Sequence, residues 1–221
     1  MNNHKAAIEL KAVNKRLGSA AILEDVNFVI KYGELVSIVG PNGSGKTLLL
    51  RMLSGLVYAD SGSVRVGDTQ LRRDLLGPLP DVGVIIETPG FLPHLTGRDN
   101  LRLLAGLRDR IGVKEVDAAI QEVGLNPDDR KVVGHYSLGM RQRLAVAQAF
   151  MERPKILLLD EVTNALDPEF VDELLVKLRT KADEGAAVVV TTHEVTRIGS
   201  VEDRRLTVRN KRIVPFTDSI R

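Results

Sequence analysis

The chain has 221 residues, 43% of them hydrophobic and 27% charged, with a net charge of +2, enough for one large domain with a sizeable core. It reads as an ordinary soluble globular protein, and 31 Lys and Arg scattered among 29 Asp and Glu make no case for nucleic acid. The absence of cysteine excludes a disulfide framework or thiolate metal site, the 4% aromatic content argues against base-stacking platforms, and no apolar run approaches the about 20 residues of a membrane span.

Met1–Lys5 has no apolar core and no cleavage site, so no signal peptide is expected there, and it leads into a strand over residues 6–13. Val26, Phe28 and Ile30 alternate as a second strand before the turn at Lys31-Tyr32-Gly33. Leu35–Val39 is a short apolar strand that runs into Gly40-Pro41-Asn42-Gly43-Ser44-Gly45-Lys46-Thr47, a match to G-x-x-x-x-G-K-[S/T]. A helix leaves the loop from Thr47 and ends near Gly55.

This spacing has a physical reason. Gly43 and Gly45 can take backbone angles that turn successive N–H groups inward as a nest for phosphate oxygens. The helix start adds unpaired N–H groups and its positive dipole end. Lys46 would reach the outer phosphates and the Thr47 hydroxyl would hold Mg²⁺. The loop alone says only nucleoside triphosphate.

Asp60-Ser61-Gly62 reads as a turn, and Val64 and Val66 lead toward Gly67-Asp68 as an edge strand or hairpin. Val82–Ile86 is a further strand, followed at once by Glu87. Helices then dominate to about Met151. Thr96-Gly97-Arg98-Asp99 is a capping box, with Leu101, Leu104 and Leu107 expected on one face behind it. Val116, Ile120 and Val123 mark a second helix, stopped by Gly124, and Asn126–Asp129 a loop. Ser137 opens a third, with Leu144, Ala147 and Met151 facing inward.

Ile156–Leu159 is a buried strand ending in Asp160-Glu161. Asp167-Pro168 caps a helix that runs to Gly185, and Ala186–Val190 is a parallel strand ending at Thr191-Thr192-His193. A hairpin around Asn210-Lys211 closes the chain. The expected division is a single unit over 1–221, with a catalytic core at about 1–86 and 152–221 and an inserted helical part at about 87–151.

Open parallel sheets bind ligands at the carboxyl ends of their strands. If the strands ending in the phosphate loop, in Asp160-Glu161 and in His193 lie side by side, all face the same phosphates. Asp160 would then hold Mg²⁺, Glu161 would polarise an attacking water, and His193 would donate to the terminal phosphate. Taken singly, Asp160-Glu161 also reads as a solvated strand end and His193 as a surface or packing histidine. Tyr136–Gln142 is a helix N-terminus with a Ser and a nearby Gly, either a plain cap or a second anion site serving a nucleotide held by another subunit.

Together these stretches resemble the nucleotide-binding subunit of an ATP-binding cassette (ABC) transporter, over essentially the whole chain. Gly40–Thr47 matches its Walker A loop and Ile156–Glu161 its Walker B strand with the catalytic glutamate. Ser137–Arg141 falls where the family has its Ser-Gly-Gly-Gln signature, Asn164–Asp167 matches the D-loop and His193 the switch histidine.

The resemblance implies a P-loop α/β fold with a mostly parallel core sheet, an N-terminal antiparallel β subdomain and an inserted helical subdomain. It implies ATP and Mg²⁺ as ligands. ATP contacts would fall on Gly40 to Leu48, with Leu17 where the family commonly has an adenine-stacking aromatic. Catalysis would rest on Glu161, His193 and Lys46, and the metal on Thr47, Asp160 and Glu87. Ser137, Gly139 and Asp167 would reach a nucleotide on a second subunit, in a homodimer or heterodimer closed head to tail.

The chain departs from the family in carrying Glu87 for the usual Gln, Leu138 and Met140 in the signature, and Val162 for Pro after the glutamate. Ile86–Phe91 and Tyr136–Met140 resemble the branch that exports bacitracin-like and lantibiotic peptides and drugs. An integral membrane permease would be the partner, touched by the loop from Glu87 to about Leu95, and the subunit would sit on the cytoplasmic face of the membrane. The other reading is a non-transport ATPase clamp on nucleic acid or protein. About 60 residues and no sustained heptads between the two halves of the core argue against that reading. A monomeric P-loop kinase leaves Ser137–Arg141 unexplained.

Overall fold

The computed structural model describes residues 5–75, 79–87, 90–193 and 197–217. Residues 1–4, expected to lack a leader, and Thr88-Pro89 of the expected partner loop lie outside the described residues.

Two sheets share the chain. The first has the order β2-β1-β4-β5 and is antiparallel throughout, built from β1 (Ala6–Leu17), β2 (Ala20–Lys31), β4 (Ser61–Val66) and β5 (Thr69–Gln70). The second has the order β10-β9-β3-β8-β7-β6, from β3 (Leu35–Val39), β6 (Val82–Ile85), β7 (Ile156–Asp160), β8 (Ala187–Thr192), β9 (Arg204–Arg209) and β10 (Arg212–Pro215). Its strands from β9 to β6 are parallel, and only β10 returns antiparallel, through Asn210-Lys211 with both residues left-handed.

β3, β7 and β8 are buried along their whole length, which is why they read as unbroken apolar runs. Side chains alternate between faces. Leu35, Leu157, Leu159, Val188 and Val190 enter one core cluster; Val36, Ile38, Ile156, Leu158, Ala187 and Val189 enter the other. The first cluster is completed by α2 (Gly97–Arg108), α3 (Val113–Glu122), α4 (Leu138–Phe150) and α5 (Pro168–Asp183). The second is completed by α1 (Lys46–Leu53) and the antiparallel sheet. Burying both faces of one sheet fixes the strand ends rigidly, and those ends carry the site.

The helix starts follow their caps. Thr96 Oγ1 accepts from Asp99 N, Ser137 Oγ from Met140 N, and Asp167 Oδ1 from Phe170 N. Leu107 is not on the buried face of α2: it is 81% exposed, while Leu101 and Ala105 are buried. Six residues past Leu101 is about one and two-thirds turns, so Leu107 points away from the core. Strand bounds also differ from expectation. β1 continues four residues past Val13, with register shifts that accommodate its polar end, and Ser61-Gly62 opens β4 instead of forming a turn.

Candidate active site

β3, β8 and β7 are immediate neighbours, so the three chemically marked strand ends lie side by side. Val39 is in register with Thr192, and Asp160 with Thr191. Residues 40–47, His193 and Asp160-Glu161 therefore leave the same edge of the sheet.

The loop is shaped by its glycines. Gly45 is the N-cap of α1 at φ +105°, where no side chain is comfortable, and a Cβ there would sit 3.1 Å from Ile22 Cγ2. No side chain caps α1, which leaves its end for an anion. Ser44 Oγ is buried without a hydrogen-bond partner, an orphan that a phosphate oxygen would satisfy. Lys46 is only 4% exposed, and its Nζ donates to Gly40 O (2.7 Å) and Pro41 O (3.1 Å). A buried ammonium held by two neutral carbonyls of its own loop is a cation still short of a full counter-charge. Pro41 and Asn42 are exposed, whereas Leu48 is buried beneath the loop.

Thr47 Oγ1 donates to Asp160 Oδ2 at 2.8 Å. The other carboxylate oxygen of Asp160 accepts from the Thr191 hydroxyl, which is fully buried. This donor set is all oxygen, which suits a hard cation such as Mg²⁺. Among the described residues no three of His, Cys, Asp or Glu gather to cage a metal. A cation at Thr47 and Asp160 would therefore draw its remaining ligands from water and phosphate, as Mg²⁺ usually does. Glu87 does not join this pair. Its carboxylate is turned to Arg51 Nη2 at 2.5 Å, on α1 one turn beyond Thr47.

Glu161 has a left-handed backbone (φ +45°), anchored by its N–H donating to Thr191 O and Oγ1 at 3.1 and 3.2 Å. Its Oε1 lies 4.0 Å from Lys46 Nζ. Its Oε2 lies 3.5 Å from His193 Nδ1 and accepts from Asn164 Nδ2. One carboxylate thus meets the phosphate-loop lysine and the strand-end histidine.

Ser137 caps α4, and Gly139 lies in its first turn. The Ser137 hydroxyl serves its own helix through Met140 N at 3.1 Å. α4 is bound to the segment after β7: a Cβ on Gly139 would lie 3.3 Å from Ala165 O, and Gln142 Nε2 donates to Val162 O. Arg143 pairs with Asp167 Oδ2 at 2.7 Å and stacks over the Phe170 ring.

Asp167 was expected to reach across to a second chain. Both its oxygens are engaged at home, and the Phe170 N–H, then Arg143, hold its carboxyl below the usual range. Leu17 is 54% exposed near the β1–β2 turn, while Ile22 and Leu23 are the side chains nearest Gly45 of the phosphate loop. Arg51 and Ile22 are not marked by the sequence, and Asn164 and Thr191 appear there only as parts of the D-loop match and of a strand end, with no role of their own. Thr191 and Ile22 need the sheet pairing to be seen; Asn164 and Arg51 need the local turns.

Comparison with known proteins places nearly the whole chain beside one family. Residues 23–164 match the family model described as ABC transporter. The chain is 37% identical over 207 residues to the uncharacterized ABC transporter ATP-binding protein YdbJ of Bacillus subtilis (strain 168), covering 93% of this chain and 67% of that protein. It is 36% identical over 197 residues to the bacitracin transport ATP-binding protein BcrA of Enterococcus faecalis, covering 89% of this chain and 64% of that one. The chain thus spans about two thirds of the length of these curated relatives. Among solved structures, the dimeric post-hydrolysis state of the ATP-binding cassette MJ0796, bound to ADP and Pi, superposes with a TM-score of 0.82 at 26% identity, over 95% of this chain and 99% of that one.

Proposed function

The chain belongs to the ABC transporter family, and from that membership we propose that it binds and hydrolyses ATP at the β3–β8–β7 strand ends to drive a membrane-embedded partner. The observation that carries this reading is the meeting of Lys46 and Glu161, with Nζ and Oε1 4.0 Å apart beside a nest that has an orphan hydroxyl.

Lys46 would exchange the carbonyls of Gly40 and Pro41 for phosphate oxygens, gaining charge-assisted bonds for neutral ones. Ser44 and the loop N–H groups would cradle the inner phosphates. Mg²⁺, held by Thr47 and Asp160, supplies charge neutralisation across the phosphates when bound. Glu161 would accept the proton of the attacking water, and His193 would donate to the developing charge. Ser137 and Gly139 of a second subunit would complete the site across the nucleotide; that the MJ0796 cassette is dimeric with ADP and Pi bound supports a paired arrangement.

No helix among the described residues is long and apolar enough to cross a membrane, so the spans would come from a permease chain. Leu92 is exposed in the segment before α2, and Asn100 pins its backbone N–H and C=O, making a rigid contact for that partner. Export of a peptide or antibiotic is the cargo class favoured by the bacitracin transport relative and by Leu138 and Met140 in the signature.

Glu161→Gln tests the assignment. It keeps the shape of the side chain and removes the base, so ATP binding should persist while turnover falls by about 100-fold or more. Near-normal hydrolysis in that variant would remove Glu161 from the role.

A further inference from the structure

Glu161 has two oxygens, and their surroundings are not alike. Oε1 faces Lys46 and the phosphate loop and accepts no hydrogen bond among the described residues. Oε2 accepts from the Asn164 amide and also lies 3.5 Å from His193. A carboxylate can only accept, so the Asn164 atom facing it is the NH₂ group. Backbone geometry delivers that group. Asn164 N–H donates to Glu161 O at 3.0 Å, closing a tight turn over Val162-Thr163 that begins at the left-handed Glu161, and Ala165 is left-handed as well. The turn brings the two side chains together beyond the sheet edge, where Asn164 itself is exposed.

We propose that Asn164 is the positioning residue for Glu161. Its amide holds Oε2, so that Oε1 is the oxygen presented to the attacking water. A glutamate has rotatable bonds to spare, and a base displaced by about 1 Å loses on the order of 100-fold. The sheet anchors only the Glu161 backbone, through Thr191; among the described residues, Asn164 makes the one direct hydrogen bond to its carboxylate. This inference rests on the reading of Glu161 as the base.

The test uses the full chain with Asn164→Ala, Asn164→Asp and Asn164→Ser, each alone and with Glu161→Gln, measuring kcat, KM for ATP and ATP-driven dimer mass. Asn164→Ala should lower kcat by about tenfold or more, while KM stays within about twofold. Asn164→Asp should lose at least as much, because it sets a second carboxylate against the first. Asn164→Ser keeps a donor and should recover part of the rate. On a Glu161→Gln background, Asn164→Ala should cause no further loss of residual turnover, because the oxygen it held no longer acts as a base.

The proposal is overturned if Asn164→Ala turns over within about twofold of the parent, or if its loss adds in full to that of Glu161→Gln. It is also overturned if Asn164→Ala in the Glu161→Gln chain abolishes the ATP-driven dimer, for the residue would then serve the subunit interface. Wild-type turnover in the Glu161→Gln single variant would defeat the base assignment itself and is read separately.

Discussion

The loop after β3 and the start of α4 both set a small polar turn at a helix N-terminus, yet they are finished differently. Around the first, buried side chains converge: Lys46, Asp160 and Thr191 all have their polar atoms paired within a few ångströms, and one orphan hydroxyl remains. Around the second, the Ser137 hydroxyl is spent on its own helix. Its neighbours Gln142 and Arg143 hold α4 to the segment after β7. On the proposed reading, burial within the chain would prepare one half of the nucleotide site, and the start of α4, braced from behind, would present the other half to a second subunit. Because the brace runs to the segment that carries Glu161, movement of α4 on engaging a second subunit would reach the base directly.

Variants can break this contrast. The largest effect should come from Lys46→Ala, which removes the buried cation and should weaken ATP binding by about two orders of magnitude, measured by titration calorimetry. Undiminished binding would mean that the loop is not the phosphate site. Ser137→Ala should leave ATP affinity of the monomer unchanged and lower turnover by about tenfold. It should also cost about 1 kcal/mol of stability through the lost cap. A fall in monomer affinity would place Ser137 in the first half of the site and erase the distinction. Thr191→Val preserves shape and deprives Asp160 of a donor. It should weaken Mg²⁺-dependent ATP binding by about three- to tenfold and leave Mg²⁺-free binding alone.

The smallest effect concerns the brace. Asp167→Ala should lower the thermal midpoint by a few degrees at neutral pH. The carboxyl is held below its ordinary value of 3.8 in the fold, so its contribution is complete above that value and fades as pH falls through the lower, folded value. The gap between wild type and variant should therefore close in acid. A gap that widens there would contradict the capping role.

Much of the site was legible because a strand buried on both faces must read as an apolar run, and such runs end where the polar chemistry begins. Leu35–Val39, Ile156–Asp160 and Ala187–Thr192 all announce themselves this way. Their order in the sheet does not, and Thr191 acquires meaning only because it lies opposite Asp160. Leucine spacing puts Leu107 with Leu101, but helical angle turns it to solvent, and Ala105, one turn after Leu101, is the buried residue. Asp167 is legible as a cap, but its pairing with Arg143 is not, because that depends on how α4 and α5 pack. The turn that brings Asn164 to Glu161 needs a left-handed glutamate, which no pattern of residue types signals.

The claim that one half of the site must come from another subunit is tested most directly by the solution mass of Glu161→Gln, by size exclusion with light scattering, with and without ATP. The account predicts a 24.2 kDa monomer without nucleotide and a species of twice that mass with it, reversed by Ser137→Ala. A chain that binds ATP and stays monomeric, with turnover unaffected by Ser137→Ala, would contradict it.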